Sequence, residues 1–284
     1  MLDKKIMFFW GNKTMSWLRY MTLVSFKRLN PDWKVELYLA PCLTTKKTWK
    51  DHNEQDFSSF TGVNYMSAVH KLDIEIKEWP LPVNLPNIAP SHLSNFFKWS
   101  KLATEGGIYA DLDILWTKPI DSFYEAVKNV DVGICSTKFF SIGLLSSSPN
   151  NVVYNKIYET AKITYTPVHY QCAGVYALYM WLYGADIFEG DNIWNALAAH
   201  DIWSDLTKSA QDLTYYNIPM NLIYAYDSTR VWDIFKEMIQ KFQLPEGAIG
   251  IHWYAGHPIA QELNNTLNAS NWKKYDCLLT RSIT

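Results

Sequence analysis

The sequence has no uninterrupted apolar run of about eighteen residues or more, so it contains no candidate for a membrane-spanning helix. The first apolar run, residues 6–10, is also too short for the core of a secretory signal peptide. We therefore expect a cytoplasmic protein with no transmembrane segment.

Cysteine is scarce, and an excess of charge of one sign is absent. The cysteines, Cys42, Cys135, Cys172 and Cys277, form no CxxC pair. This spacing argues against a zinc site and against a disulfide framework. With 26 basic and 28 acidic residues the formal net charge is −2. The chain therefore lacks the overall positive charge that is typical of proteins that bind nucleic acid.

Apolar and aromatic residues, in contrast, are plentiful. Hydrophobic residues make up 48% of the 284 residues, which is enough for a large core. Because the composition does not shift along the chain, we expect a single domain that spans residues 1–284. The 13 Trp and 18 Tyr can stack on sugar rings or bases, although aromatic residues more often belong to a core.

The N-terminal region has the pattern of a βαβ unit. Residues 6–10 predict an apolar strand, residues 16–29 a helix, and residues 34–39 a second strand. This order predicts an α/β fold with a mainly parallel sheet and right-handed crossovers. Ligands bind at the carboxyl ends of the strands in such sheets. The residues at that edge are Phe9, Trp10, Gly11 and Asn12.

The rest of the chain predicts further strands and helices. Strands are expected at 72–79, 131–135 and 248–253, and a loop rich in Ser and Gly at 139–151. Helices are expected within 54–70, from an N-cap at Ser91 to Glu105, and at 151–161, 174–183 and 230–242.

The segment after the predicted helix at 91–105 contains two alternating carboxylates. Gly106 and Gly107 supply the left-handed backbone that ends a helix. If the residues that follow form one strand, Asp111 and Asp113 lie on the same face and their side chains converge. Such carboxylates repel each other unless a cation lies between them, and hard oxygen ligands suit Mg²⁺ or Mn²⁺. The pattern therefore predicts a divalent-metal site.

Several motifs together resemble a known family. In chain order they are Ser94-Asn95-Phe96-Phe97-Lys98, Leu102, Gly106-Gly107-Ile108-Tyr109 and Asp111-Leu112-Asp113. This block resembles the core of the GT-A glycosyltransferases of the family 32 and capsular-polysaccharide type. Those proteins have Ser-Asp-x-x-Arg, a leucine and Gly-Gly-x-Tyr-x-Asp-x-Asp at the same spacing. The N-terminal strand, helix and turn and the C-terminal segment 251–258 resemble the same family.

The resemblance implies a GT-A type, Rossmann-like fold with a mixed, mainly parallel sheet flanked by helices. It places the nucleotide-sugar-binding part at about residues 1–135 and the acceptor-side, C-terminal closing part at about 136–284. It also implies a metal-dependent transferase that retains anomeric configuration and uses Mn²⁺ or Mg²⁺. The implied donor is a nucleotide-diphosphate sugar, with a UDP-sugar favoured. The sequence leaves the acceptor open between a glycan, a protein and a modified DNA base.

The resemblance further implies roles for individual residues. Asp113 is expected to ligate the metal, Asp111 to contact the donor and the metal shell, and His252 either to complete the metal site or to hold a phosphate. Asn95 and Lys98 stand where the family has Asp and Arg, which contact the transferred sugar. Because Asn lacks the charge and Lys lacks the bidentate fork, the donor sugar stays open. The residues expected at the nucleotide are Phe9 or Trp10 against the base, Gly11, Tyr109 and His257.

Several questions stay open on the sequence alone. The candidate nucleophiles are Asp186, Glu189 and Asp191, which could equally form a solvated acidic loop. A non-catalytic carbohydrate-binding module could use the carboxylates for a structural cation. A metal-dependent phosphohydrolase could also use Asp-x-Asp, but no second His/Asp cluster completes a two-metal site.

A transferase that acts on DNA would need phosphate contacts. The lysines available for a local basic patch are Lys46, Lys47, Lys50, Lys273 and Lys274. Acceptor choice is expected to depend on variable loops at 42–60, 139–150 and 184–217.

Overall fold

A computed structural model of the chain describes residues 1–40, 46–51, 60–80, 88–188, 193–235 and 243–283. Cys42, Glu189 and Asp191 lie outside the described residues, as do most of the predicted loop at 42–60 and the end of the predicted helix at 230–242. Within the described residues, no helix is both long enough and apolar enough to cross a membrane.

The strands form one large sheet and one small sheet. Their bounds are β1 (Lys5–Trp10), β2 (Lys34–Leu39), β3 (Glu75–Glu78), β4 (Gly107–Ala110), β5 (Ile114–Trp116), β6 (Val132–Ser136), β7 (Phe140–Ser147), β8 (Tyr215–Asn217) and β9 (Gly250–His252). In the described residues the large sheet has the order β3-β2-β1-β4-β7-β6-β8, and β5 pairs with β9 in the small sheet. The neighbours of β1, β2 and β3 are parallel, whereas β7 is antiparallel to both β4 and β6. The predicted α/β class with a mixed, mainly parallel sheet is confirmed.

Helices cover the sheet and extend to the C-terminal region. They are α1 (Trp17–Leu29), α2 (Met66–Val69), α3 (Pro90–Thr104), α4 (Asp121–Val127), α5 (Val152–Thr164), α6 (Val175–Tyr183), α7 (Ile193–Leu197), α8 (Ile202–Ser209), α9 (Val231–Phe235), α10 (Pro258–Thr266) and α11 (Leu278–Arg281). Alternate residues of β1 face opposite sides of the sheet because side chains alternate along a strand. Met7 and Phe9 enter a core with α3, α5 and α6, whereas Ile6 and Phe8 enter a core with α1.

The ends of α1 and α3 follow from their capping residues. Ser16 caps α1 by accepting a hydrogen bond from the backbone N–H of Arg19 at 3.4 Å. The predicted N-cap at Ser91 is wrong, because α3 already begins at Pro90 and Ala89 occupies the cap position. Proline suits this first helical position because its ring presets the helical φ and it has no N–H that needs a partner.

The predicted loop at 139–151 is also wrong, because β7 occupies most of it and is an inner strand of the sheet. Its small residues allow close packing rather than loop formation. Ser147 donates from Oγ to the carbonyl of Leu102 in α3 at 2.8 Å. Gly133 of β6 leaves room for Ser146, since a Cβ there would lie 2.0 Å from its Oγ. Serine and glycine at these positions therefore belong to a tightly packed strand.

The predicted loop at 184–217 is likewise largely structured. It contains α7, α8 and β8 in the described residues. These short elements lack a long periodic pattern, so the composition alone did not reveal them.

Gly106 and Gly107 end α3 as predicted. Their φ values are +64° and +107°, a region that residues with a Cβ rarely adopt. At Gly106 a Cβ would also lie 2.6 Å from backbone atoms of Ser147 and Pro149. The chain can therefore pass from α3 directly into β4 only with glycine at this position.

Candidate metal and donor site

The two aspartates lie on a turn between two strands. The condition under which the sequence placed both side chains on one face, a strand that continues through both residues, is not met: β4 ends at Ala110 and β5 begins at Ile114. The backbone N–H of Asp111 donates to the carbonyl of Gly143 at 2.8 Å. Thr22 of α1 donates from Oγ1 to the carbonyl of Leu112 at 3.1 Å. The carboxylates therefore converge because neighbouring elements hold a turn, and not because a strand alternates.

His252 reaches the same turn from β9. It pairs with Ile114 across the small antiparallel sheet, and its Nε2 lies 3.3 Å from Oδ1 of Asp113. Asp111, Asp113 and His252 each offer a ligand atom, and these atoms lie within 4.8 Å of one another. The structure thus brings together all three residues that the sequence predicted as metal ligands.

The surroundings of these ligands fit a divalent cation. Within the described residues, Nδ1 of His252 is buried without a hydrogen-bond partner. A Cβ on Gly143 would lie 3.1 Å from Oδ2 of Asp111 and 3.3 Å from Cδ2 of His252, so glycine leaves room beside both ligands. Carboxylate oxygens with one imidazole are suitable ligands for Mn²⁺ or Mg²⁺.

Oδ1 of Asp111 is engaged by a buried network. Lys98 Nζ donates to it at 3.0 Å and the Tyr109 hydroxyl at 2.6 Å. Lys98 also donates to the carbonyl of Ile142 at 3.2 Å, and Ser94 Oγ lies 2.9 Å from the Tyr109 hydroxyl. Because only 2% of the Lys98 side chain is exposed, its ammonium is committed to Asp111 and Ile142. These contacts orient Asp111 and leave Oδ2 facing Gly143.

Asp113 is a buried carboxylate that stays charged. Burial raises its pKa, but the interactions with His252, Arg19 and the backbone N–H of Ala255 together lower it by more. The backbone N–H of Ala255 also donates to Oδ2 at 2.9 Å. The pKa of Asp113 therefore lies well below its usual range, which keeps the ligand ionised at neutral pH.

Arg19 is a site residue that the sequence reasoning missed. It lies in the first turn of α1 and is buried, with its guanidinium 4.6 Å from the Trp10 ring centroid and 5.6 Å from that of Trp253. Burial lowers the pKa of Arg19, while the charges of Asp113 and Asp111 raise it. The sequence could have indicated Arg19, because it is a charged residue among apolar neighbours in the helix that directly follows the predicted binding edge.

The two aromatic residues predicted for the base have different surroundings. Phe9 is packed in the core, stacked on Phe97 at 4.9 Å between ring centroids and edge-on to Trp79 at 5.8 Å. Trp10 donates from its indole N–H to the carbonyl of Thr14 at 2.9 Å. It also lines a pocket, and the other residues there are Asn12, Thr14, Ser16, Arg19, Phe60 and Asn264. Gly11 is buried and directly follows β1.

Asn95 and His257 lie on helices next to the site residues. Asn95 is buried on α3, and its Nδ2 would lie 3.0 Å from a Cβ on Gly174. His257 caps α10, with Nδ1 accepting from the backbone N–H of Ile259 at 3.4 Å. Burial lowers the pKa of His257, and its ring is edge-on to Trp232. The structure does not group His257 with the three ligands found in the described residues.

The remaining candidate residues, Asp186 and the lysines, are exposed or half-buried. Asp186 is exposed on a short 3-10 turn. The lysines considered for a DNA-binding patch are exposed or half-buried, namely Lys46, Lys47, Lys50, Lys273 and Lys274.

Two further residues next to the candidate metal ligands, Gly143 and Tyr224, had no local signal in the sequence, because their role depends on contacts between distant segments.

Comparison with known proteins agrees with this geometry. Residues 25–129 match the family model of the glycosyltransferase sugar-binding region containing the DXD motif. The chain resembles the GT-A glycosyltransferases. The matched region includes α3, Asp111 and Asp113, whereas His252 lies outside it. Comparison with curated protein sequences gives no match.

Solved glycosyltransferase structures show the same overall resemblance. The PaToxG glycosyltransferase is 17% identical, with 75% of this chain and 80% of that chain covered and a TM-score of 0.42. The galactosyltransferase LgtC, solved with donor and acceptor sugar analogues, is 12% identical, with coverage of 95% and 99% and a TM-score of 0.42. GlyE of Streptococcus pneumoniae is 12% identical, with coverage of 96% and 65% and a TM-score of 0.43. At these values none of them assigns a residue or a substrate to this chain.

Proposed function

We propose that this protein is a metal-dependent glycosyltransferase that moves a sugar from a nucleoside-diphosphate sugar to an acceptor, with retention of anomeric configuration. The observation that carries the proposal is the convergence of Asp111, Asp113 and His252 within 4.8 Å, in a chain whose residues 25–129 match DXD glycosyltransferases. The favoured donor is a UDP-sugar and the favoured cation is Mn²⁺ or Mg²⁺.

The ligand set indicates how the protein would prepare the reaction. Asp111, through Oδ2, Asp113 and His252 would hold the cation. When bound, the cation supplies positive charge to the leaving diphosphate. Breaking the bond at the anomeric carbon places negative charge on that diphosphate, so fixed positive charge in the protein favours the transition state.

Two buried, positively charged side chains, those of Lys98 and Arg19, have distinct roles in this proposal. Lys98 keeps Asp111 oriented through the 3.0 Å contact with Oδ1. Arg19, held against two indole rings, adds positive charge next to the pocket lined by Trp10. Trp10 is proposed to contact the nucleotide base from the wall of that pocket, whereas Phe9 supports the wall from the core. Tyr109 acts through Asp111, and Asn95 is proposed to face the transferred sugar.

The decisive experiment is a panel of nucleotide-sugars with and without Mn²⁺, in which release of nucleoside diphosphate is measured. Wild type is expected to release diphosphate from one donor only when metal is present, and Asp113→Asn to lose this activity. Asp121→Asn is the matched control, because Asp121 is an exposed aspartate that pairs with Lys4 on the surface. Absence of release from every donor, with metal-dependent glycan binding retained, would instead favour a carbohydrate-binding module.

Stereochemistry is tested separately once a donor is known. The anomeric configuration of the new glycosidic linkage is read by proton NMR. An α-linked donor is expected to give an α-linked product, and a β-linked product would contradict retention while leaving sugar transfer intact.

A further inference from the structure

Tyr224 lies between the two segments that supply the metal ligands. It follows a short 3-10 turn, Met220–Leu222, and is 5% exposed. Its hydroxyl accepts a hydrogen bond from the backbone N–H of Gly143 at 2.9 Å. Its ring centroid lies 5.0 Å from that of His252. One side chain therefore contacts both β7 and a metal ligand on β9.

Gly143 connects this hydroxyl to Asp111. The carbonyl of Gly143 accepts the backbone N–H of Asp111 at 2.8 Å, while the N–H of Gly143 donates to Tyr224. Two successive hydrogen bonds thus join the tyrosine to the first aspartate of the turn. Both hydrogen bonds involve the backbone of Gly143. A displacement of the Tyr224 hydroxyl would therefore shift Gly143 and, with it, Asp111.

The backbone next to Tyr224 holds His252. The carbonyl of Ile223 accepts the backbone N–H of His252 at 2.8 Å. Residues 223 and 224 therefore contact His252 through the main chain and through the tyrosine ring. This connection bears on the spacing between Asp111 and His252, since Asp111 follows β4 of the large sheet and His252 lies in β9 of the small sheet.

The missing Cβ of Gly143 shows how closely these groups converge. A Cβ there would lie 2.7 Å from the Tyr224 hydroxyl, 3.1 Å from Oδ2 of Asp111 and 3.3 Å from Cδ2 of His252. A tyrosyl hydroxyl can donate one hydrogen bond as well as accept, so it can engage a neighbouring ligand atom while it holds Gly143.

We propose that Tyr224 is a positioning residue that sets the distance between Asp111 and His252, so that both can bind the same divalent cation. This inference rests on the proposed metal-dependent function and names a residue through which the site is organised. Groups that orient metal ligands commonly contribute about 10–100-fold to metal affinity or activity. The hydroxyl is the part that links Tyr224 to Gly143, so removing it alone tests the role.

The test is the Mn²⁺ dissociation constant of Tyr224→Phe, measured by electron paramagnetic resonance of free Mn²⁺ during titration of the folded protein. We expect affinity to fall about tenfold. Tyr124→Phe is the matched control, because Tyr124 is 8% exposed and its hydroxyl donates to a backbone carbonyl, that of Leu2, at 2.7 Å. This control is expected to bind Mn²⁺ like wild type.

A second variant keeps the test informative if Tyr224→Phe does not fold. Gly143→Ala retains the hydroxyl but places a methyl group against it, and is expected to weaken Mn²⁺ binding to a similar extent. Wild-type affinity in either folded variant would overturn the inference. So would an equal loss in Tyr224→Phe and Tyr124→Phe, because that would indicate general destabilisation.

The same titration separates this inference from the proposed function. If wild type binds neither Mn²⁺ nor Mg²⁺, the metal-dependent function itself fails. If wild type binds Mn²⁺ and Asp113→Asn abolishes binding, the metal site stands. The behaviour of the Tyr224 variant then decides the inference alone.

Discussion

Nε2 of His252 lies 3.3 Å from Oδ1 of Asp113. The contact is made across the pairing of β5 with β9, in which Ile114 and His252 are register partners. This pairing joins the central turn of the chain to a segment near its C-terminus. The candidate metal site is therefore assembled by tertiary contacts between short elements.

Lys98→Met is expected to weaken Mn²⁺ binding about tenfold, because Asp111 loses one of the two donors that orient its Oδ1. Isothermal titration calorimetry measures the change. Lys101→Met is the control, since Lys101 is on the same helix but pairs with Glu105. Equal Mn²⁺ affinity in Lys98→Met and wild type would show that Tyr109 alone orients Asp111.

Arg19→Met is expected to lower kcat about 10–100-fold while the Mn²⁺ affinity changes little, because it removes positive charge near the leaving diphosphate. Arg19→Lys keeps the charge but loses the guanidinium that lies 4.6 Å from the Trp10 ring centroid, so its kcat should be intermediate. The control is Arg281→Met, which removes an exposed arginine that pairs with Asp276. Unchanged kcat in Arg19→Met would remove Arg19 from the proposed mechanism.

Stability is expected to fall as the pH drops from 7 to 5, in part because of His92. Burial lowers the pKa of His92 from 6.5 to about 4, so the unfolded chain binds more protons than the folded protein between these values. The stability that the protein has while His92 is neutral is fully present above pH 6.5 and is lost as the pH falls toward 4. The loss between pH 7 and pH 5 is about 2 kcal/mol.

Urea unfolding of wild type and His92→Gln at both pH values measures this contribution. The variant should lose less stability than wild type on acidification, although its stability at pH 7 is lower because His92 contacts Tyr165 and the carbonyl of Tyr170. If the free energy of unfolding falls by the same amount in both proteins between pH 7 and pH 5, the acid sensitivity comes from other groups.

Gly106→Ala should destabilise the protein clearly more than Gly184→Ala. Both glycines have positive φ, +64° and +75°, so both substitutions strain the backbone, by about 1–3 kcal/mol. Only at Gly106 would the new Cβ also meet backbone atoms at 2.6 Å, whereas nothing lies within 4 Å at Gly184. Equal free energies of unfolding in the two variants would show that residues 147–149 move aside without cost.

Local sequence patterns determined the elements that carry their own signals. The helix at α1, the helix at α3 and the first two strands follow from apolar spacing and from turn residues, which act within a few residues. The two aspartates after the glycine pair likewise indicated candidate metal ligands by residue type. His252 came from a resemblance over a short segment, and the structure places it against Asp113.

Tertiary structure alone decided how these residues meet. β7 forms inside a segment that has the composition of a loop, because its small side chains fit between β4, β6 and α3. The aspartates converge through a turn held by α1 and by Gly143 rather than along one strand. Arg19 and Tyr224 join the site through contacts between segments far apart in the chain. No local pattern records such contacts, because they depend on which surfaces pack together once the sheet has formed.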